Sequence, residues 1–119
     1  MKLTIIGNVP SKKSSQIFIP RLKRLVPKAS YVAFERDAGK QITGNCKNQF
    51  TKDDKLSIHI DWYCGDRITL RDGVNMEQGI WDILQDHEVI INDAQFYKWS
   101  GTKSLDKANP RVEITIEKL

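Results

Sequence analysis

Between Lys55 and Tyr63 the chain alternates without a break. Leu56, Ile58, Ile60 and Trp62 point one way, and Ser57, His59 and Asp61 point the other. Successive side chains of a strand face opposite sides, so this pattern predicts a half-buried β-strand. Arg111–Leu119 repeats it, with Val112, Ile114 and Ile116 set against Glu113, Thr115 and Glu117. An opening strand over "KLTIIGN" is expected to stop at Gly7-Asn8 and Pro10. Two stretches change to helical spacing. In Ser30–Ile42 the repeating positions are Tyr31, Phe34, Ala38 and Ile42, with Ser30 as cap and Thr43-Gly44 as stop. From Gly73 to about Gln85 the apolar stripe is Met76, Ile80, Ile83 and Leu84. Gly79 inside that helix costs roughly 1 kcal/mol against Ala, which a close approach by a strand or by DNA would explain. Pro10–Leu25 is expected to be a polar, basic loop. "EVIINDAQFYKW" (Glu88–Trp99) is expected to be a strand broken at Asn92-Asp93, and Ser100–Pro110 a basic loop leading to the last strand. The predicted order is β-α-β-α-β-β. That makes an α+β fold, with two helices packed on a small, largely antiparallel or mixed sheet.

Length and charge narrow this picture. A chain of 119 residues makes a single domain, 1–119. It has no run of eighteen apolar residues for a membrane span, and "MKLTIIGNVP" turns polar too early for a signal peptide. Cys46 and Cys64 match no metal-ligand spacing, so the expectation is reduced thiols and a cytoplasmic location. The net charge of +4 is unevenly spread. Residues 1–50 hold ten Lys/Arg against two Asp/Glu, and residues 51–119 hold nine against thirteen. The basic half is suited to tracking phosphates. The acidic half is suited to holding a cation, or is simply well solvated.

Two carboxylates stand at structural junctions. Asp72 opens the second helix, and Asp93 follows it at the break in the next apolar stretch. If the returning chain brings them together, they form a site for Mg²⁺, which takes oxygen ligands and keeps several waters. Each also has a plainer reading: Asp72 as a helix N-cap and Asn92-Asp93 as a turn pair. His59 and His87 are expected to be surface or capping residues. Most of the large aromatics are expected in the core or a dimer interface. Trp99, beside a basic stretch, is a candidate for stacking on an unpaired base.

"RDGVNMEQGIWDIL" followed by "INDAQ" resembles the signature of the RusA family of Holliday junction resolvases. Asp72, Asn75, Met76, Asp82 and Leu84 fall in step with the family pattern, as do Asp93 and Gln95. "RVEITIE" is similar to the family's last strand, and "PSKKSSQIF" to a polar loop after its first. The resemblance implies a small homodimeric endonuclease, of a type common in prophages and mobile elements. Its expected partner is branched DNA, chiefly four-way junctions, nicked with Mg²⁺ or with Mn²⁺ as a substitute. It implies Asp72 and Asp93 as catalytic metal ligands, matching the first and third acids of the family; Asp66, in a loop that can fold back, is the candidate to replace the second. Asn75 matches the Asn of the motif and Arg71 a basic residue before it. On this reading Lys12, Lys13 and Arg71 contact phosphates, and Gln78 can donate a hydrogen bond to a phosphate oxygen. Two positions depart from the pattern. Val74 stands where the family has its second carboxylate, and Gln78 where it has a lysine. The alternative is therefore a RusA-like protein that binds branched DNA with weak or no cleavage.

Overall fold

The computed structural model describes residues 1–9, 16–19, 24–27, 29–66 and 73–119, with backbone alone for 16–19, 24–27, 29, 30 and 75. Five elements carry the core: β1 (Lys2–Ile6), α1 (Ala29–Gln41), β4 (Leu56–Cys64), α2 (Gly73–Asp86) and β6 (Arg111–Lys118). Each falls within a residue or two of its expected bounds. β5 (Phe96–Leu105) completes a four-stranded sheet in the order β1-β6-β4-β5. β6 is antiparallel to both β1 and β4, while β4 and β5 run parallel, so the sheet is mixed. Parallel neighbours need a crossover, and α2 supplies it. No described helix is long and apolar enough to cross a membrane.

The alternation in β4 and β6 becomes the two faces of the sheet. Leu56, Ile58, Ile60, Val112, Ile114 and Ile116 are all buried, and Leu3 and Ile5 of β1 extend the same layer. Met76, Ile80, Ile83 and Leu84 of α2 are fully buried against it, as their spacing predicts. α1 adds Tyr31, Phe34 and Ala38, and Ile42, just past its end, continues the same stripe. Gly39 of α1 faces the His87 ring so closely that a Cβ there would collide with its Cε1. His87 is thus a packing residue between the two helices.

Three expectations change. The Pro10–Leu25 loop contains β2 (Gln16–Ile19) and the start of β3 (Arg24–Pro27), which form a separate antiparallel pair. Each has only four residues, too few for a period-2 signal to emerge beside the lysines and arginines. The broken strand over Glu88–Trp99 is instead a turn, a short 3-10 helix (Asp93–Gln95) and only then β5. The basic loop from Ser100 is, as far as Leu105, strand. After Phe96 every residue of β5 is exposed, so burial imposes no alternation on its sequence.

Candidate functional site

The chain around Asp93 is held by a linked set of hydrogen bonds. α2 ends with Glu88 in the left-handed region (φ 65). The Glu88 amide donates to the Gln85 carbonyl (3.2 Å) and the Val89 amide to that of Leu84 (2.9 Å). This pairing is a Schellman motif, which caps the last carbonyls and reverses the chain. Val89 and Ile90 then plug into the core. Asn92 caps the short helix through its side chain, which accepts from the Ala94 amide (2.8 Å). The Asp93 amide donates to Gln85 Oε1 (3.2 Å), which ties the acid to the C-terminal end of α2.

Gln95 fixes this turn to the rest of the fold. It is the one buried polar side chain among the described residues. Its Oε1 accepts from the amides of Ile91 (3.0 Å) and Asn92 (3.1 Å). Its Nε2 donates to the carbonyls of Thr51 (2.7 Å) and Asp54 (3.0 Å). A buried amide is tolerated only when its polar atoms are paired, and all of these are. Gln95 is therefore a positioning residue for Asp93. Its signal in the sequence was present, as the Gln closing "INDAQ", but its spacing says nothing about partners more than forty residues away.

The other candidates lie elsewhere. Asp66, just beyond β4, accepts from Asn8 Nδ2 (3.1 Å) at the end of β1, while Asn8 Oδ1 accepts from the Gly65 amide (3.0 Å). Asp66 and Asp93 are at opposite ends of β4, because Phe96 pairs with Leu56 at the strand's start. β4 alone spans roughly 26 Å at the usual rise per residue. Likewise Gly73 and Gln85 are roughly 18 Å apart along α2. The turn bearing Asp93 thus packs on the far end of α2 from Gly73, and it does not return to the helix N-terminus. Asp72 immediately precedes Gly73 in the chain and lies outside the described residues, as do Lys12, Lys13 and Arg71. Asn75 is in α2, without a described side chain. Val74 is 76% exposed in the first turn. Gln78 is exposed and donates to Asp82 Oδ1 (3.1 Å) one turn on. Among the described residues no group of three or more His, Cys, Asp or Glu could hold a metal. Asp66 and Asp93 of one chain cannot share an ion.

One polar cluster joins the polar face of β4, legible in the alternation, to partners on β5 that the alternation does not show. His59 Nδ1 meets Ser100 Oγ (2.7 Å), and its Nε2 meets Asp61 Oδ1 (2.9 Å). Thr102 donates to the same Asp61 oxygen (2.5 Å). The Thr102 hydrogen bond, and after it that of His59, holds the Asp61 carboxyl below its ordinary range. The cluster joins β4 to β5 on the open face of the sheet. Beside it runs a shallow cleft of about 400 Å³ whose lining includes Lys2, Lys98 and Glu117.

A mixed four-stranded sheet with two helices on one face, and an acidic turn locked to the end of the crossover helix, defines the class: a small α+β domain. The chain belongs to the RusA endodeoxyribonuclease family, whose description, "Endodeoxyribonuclease RusA", matches residues 9–117. That span takes in Asp66, Asp72, Asp93 and Gln95. No curated protein matches the chain significantly.

Proposed function

We propose that this protein is a metal-dependent endonuclease that nicks branched DNA, chiefly four-way junctions, as a homodimer. The observation that carries the reading is the family match across almost the whole chain, acidic motif included. In this reading Asp72 and Asp93 hold Mg²⁺, for which Mn²⁺ substitutes. An ion held there would supply polarisation of the scissile phosphodiester and a lowered pKa for an attacking water. Gln95 and the Schellman turn hold the backbone at Asp93 in place, which limits the reorganisation its carboxylate needs to meet an ion. Lys12, Lys13 and Arg71 take phosphates, and Asn75 and Gln78 add polar contacts along α2.

The lengths of α2 and β4 support a second copy as part of the site. Carboxylates at opposite ends of one helix can share an ion only if two subunits bring unlike ends together. A two-fold dimer does this twice, which gives two sites for paired cuts on a pseudo-symmetric junction. The alternative reading, a binding protein with little cleavage, is favoured by two residues. Val74 offers no ligand in the first turn of α2, and Gln78 spends its amide on Asp82 in place of a free cation.

The deciding experiment is cleavage of a synthetic four-way junction with Mg²⁺, with Mn²⁺ and with EDTA. Metal-dependent nicks at symmetric positions are expected. Tight junction binding with no cleavage in either metal would select the alternative. Light scattering that gives a monomer at working concentrations would remove the shared site.

A further inference from the structure

β5 is an edge strand whose exposed residues do not resemble those of the rest of its half of the chain. Residues 51–119 carry thirteen Asp/Glu, yet Phe96–Leu105 contains none, and it contains Lys98 and Lys103. Interleaved with these are two large exposed aromatics, Tyr97 (61%) and Trp99 (57%). Trp99 does not dangle. It stands edge-on to Trp81, with ring centroids 6.1 Å apart, and Trp81 leans on Phe96 at 5.2 Å. The Tyr97 ring carries Lys55 Nζ 5.3 Å from its centroid. Among the described residues β5 pairs with β4 alone, on one side, and its other edge is open.

An open edge invites a partner, and the charges say which kind. A second copy added antiparallel about the strand's midpoint would set Lys98 against a lysine at position 103. Like charges placed opposite each other disfavour such a pair, and edge lysines are a common guard against it. An anionic chain with flat faces suits the same surface. Aromatics interleaved with cations are the arrangement that binds unpaired nucleotides, because every base has a face to stack and every linkage a charge to neutralise.

We propose that β5 is a track for unpaired nucleotides. Bases stack on Trp99 and Tyr97, while Lys98, Lys103 and Lys55 neutralise the adjoining phosphates. The inference rests on the DNA-directed reading above and names the part of a branched substrate this strand takes: the unpaired bases at the branch point.

The test is fluorescence anisotropy in EDTA, which removes cleavage, with labelled oligo-dT, a blunt duplex and a four-way junction. The wild-type chain is expected to bind oligo-dT, and its tryptophan emission to be quenched. Trp99→Ala should weaken oligo-dT about tenfold or more while changing the duplex less than about twofold. Trp99→Phe keeps a stacking face and should retain most of the affinity, with the quenching gone. Tyr97→Ala should act in the same direction. Unchanged oligo-dT binding in both alanine variants overturns the proposal. So does an equal loss on duplex, or a fall in oligomeric mass by light scattering, which would assign the surface to a second copy. Wild-type protein that binds junctions but not oligo-dT refutes the track and leaves the nuclease reading standing. Failure to bind any DNA refutes both.

Discussion

Replacing Gln95 with Ala removes an amide that links three parts of the chain. Four hydrogen bonds disappear: two from the amides of Ile91 and Asn92, and two to the carbonyls of Thr51 and Asp54. Each neutral bond contributes about 0.5–1.5 kcal/mol net, and a buried group left unpaired costs more. Asn92 and Thr51 are exposed residues, so water replaces part of the loss. The lower half of the range then applies, about 2–4 kcal/mol in total. For a domain of this size that lowers Tm by roughly 6–20 °C. Urea unfolding followed by circular dichroism measures the stability, and junction cleavage measures the consequence for Asp93. Gln95→Glu separates the two ends of the side chain. It keeps the acceptor for both amides but sets a carboxylate oxygen against the carbonyls of Thr51 and Asp54. At neutral pH it should therefore cost at least as much as Ala, and part of the loss should return in acid, where the protonated oxygen donates. If Gln95→Ala unfolds within about 0.5 kcal/mol of wild type, the linkage is not what holds this turn.

Five other outcomes can be checked. Glu77 Oε1 is buried with no hydrogen-bond partner among the described residues, and burial raises its carboxyl above the ordinary range. The folded state thus binds the proton more tightly than the unfolded chain, and stability falls as pH rises from the unfolded to the folded pKa. Glu77→Gln should be more stable than wild type at neutral pH, with the difference vanishing in acid, as read by thermal melts across pH. A Cβ at Gly101 would lie 2.5 Å from Trp62 Cζ3 and 3.0 Å from the Ile60 carbonyl oxygen, so Gly101→Ala should cost about 1–3 kcal/mol in denaturant titration. Asp72→Asn should leave the fold intact, since Asn caps as well as Asp, yet abolish metal-dependent nicking. Val74→Asp should raise nicking, because an acid is favoured in the first turn of a helix; neither effect appearing in a cleavage assay would return Asp72 to a plain cap. Lys12→Ala with Lys13→Ala should flatten the salt dependence of junction binding by about 0.9 log units per log unit of salt for each phosphate no longer neutralised.

What was legible in the sequence was whatever burial had imprinted on one face. β4, β6 and α2 each press a single side on the core, and their periods of two and 3.6 gave their positions and buried residues. β5 is parallel, lies at the edge and is exposed on both sides after Phe96, so it has no period to find. Its stretch from Ser100 looked like a loop for that reason. The candidate site was legible as residue types, since Asp93 and Gln95 stood out in "INDAQ". Their arrangement was not. A Schellman turn at a Glu, where Gly is usual, conceals the helix end, so nothing local shows that Asp93 packs beside Gln85. The bonds from Gln95 to residues 51 and 54 are long-range and leave no spacing to read.

The length of α2 also has a genetic consequence. On the proposed arrangement each active centre draws one acid from either end of the helix, on different subunits. Two inactive proteins, Asp72→Asn and Asp93→Asn, should then complement each other when mixed. In their hybrid one centre carries both lesions and the other carries none. The hybrid should cut one strand of a junction and leave its symmetric partner whole, releasing a nicked branch and not two separated duplexes. A centre built within a single chain would stay silent in the same mixture, because every copy would bring its own defect.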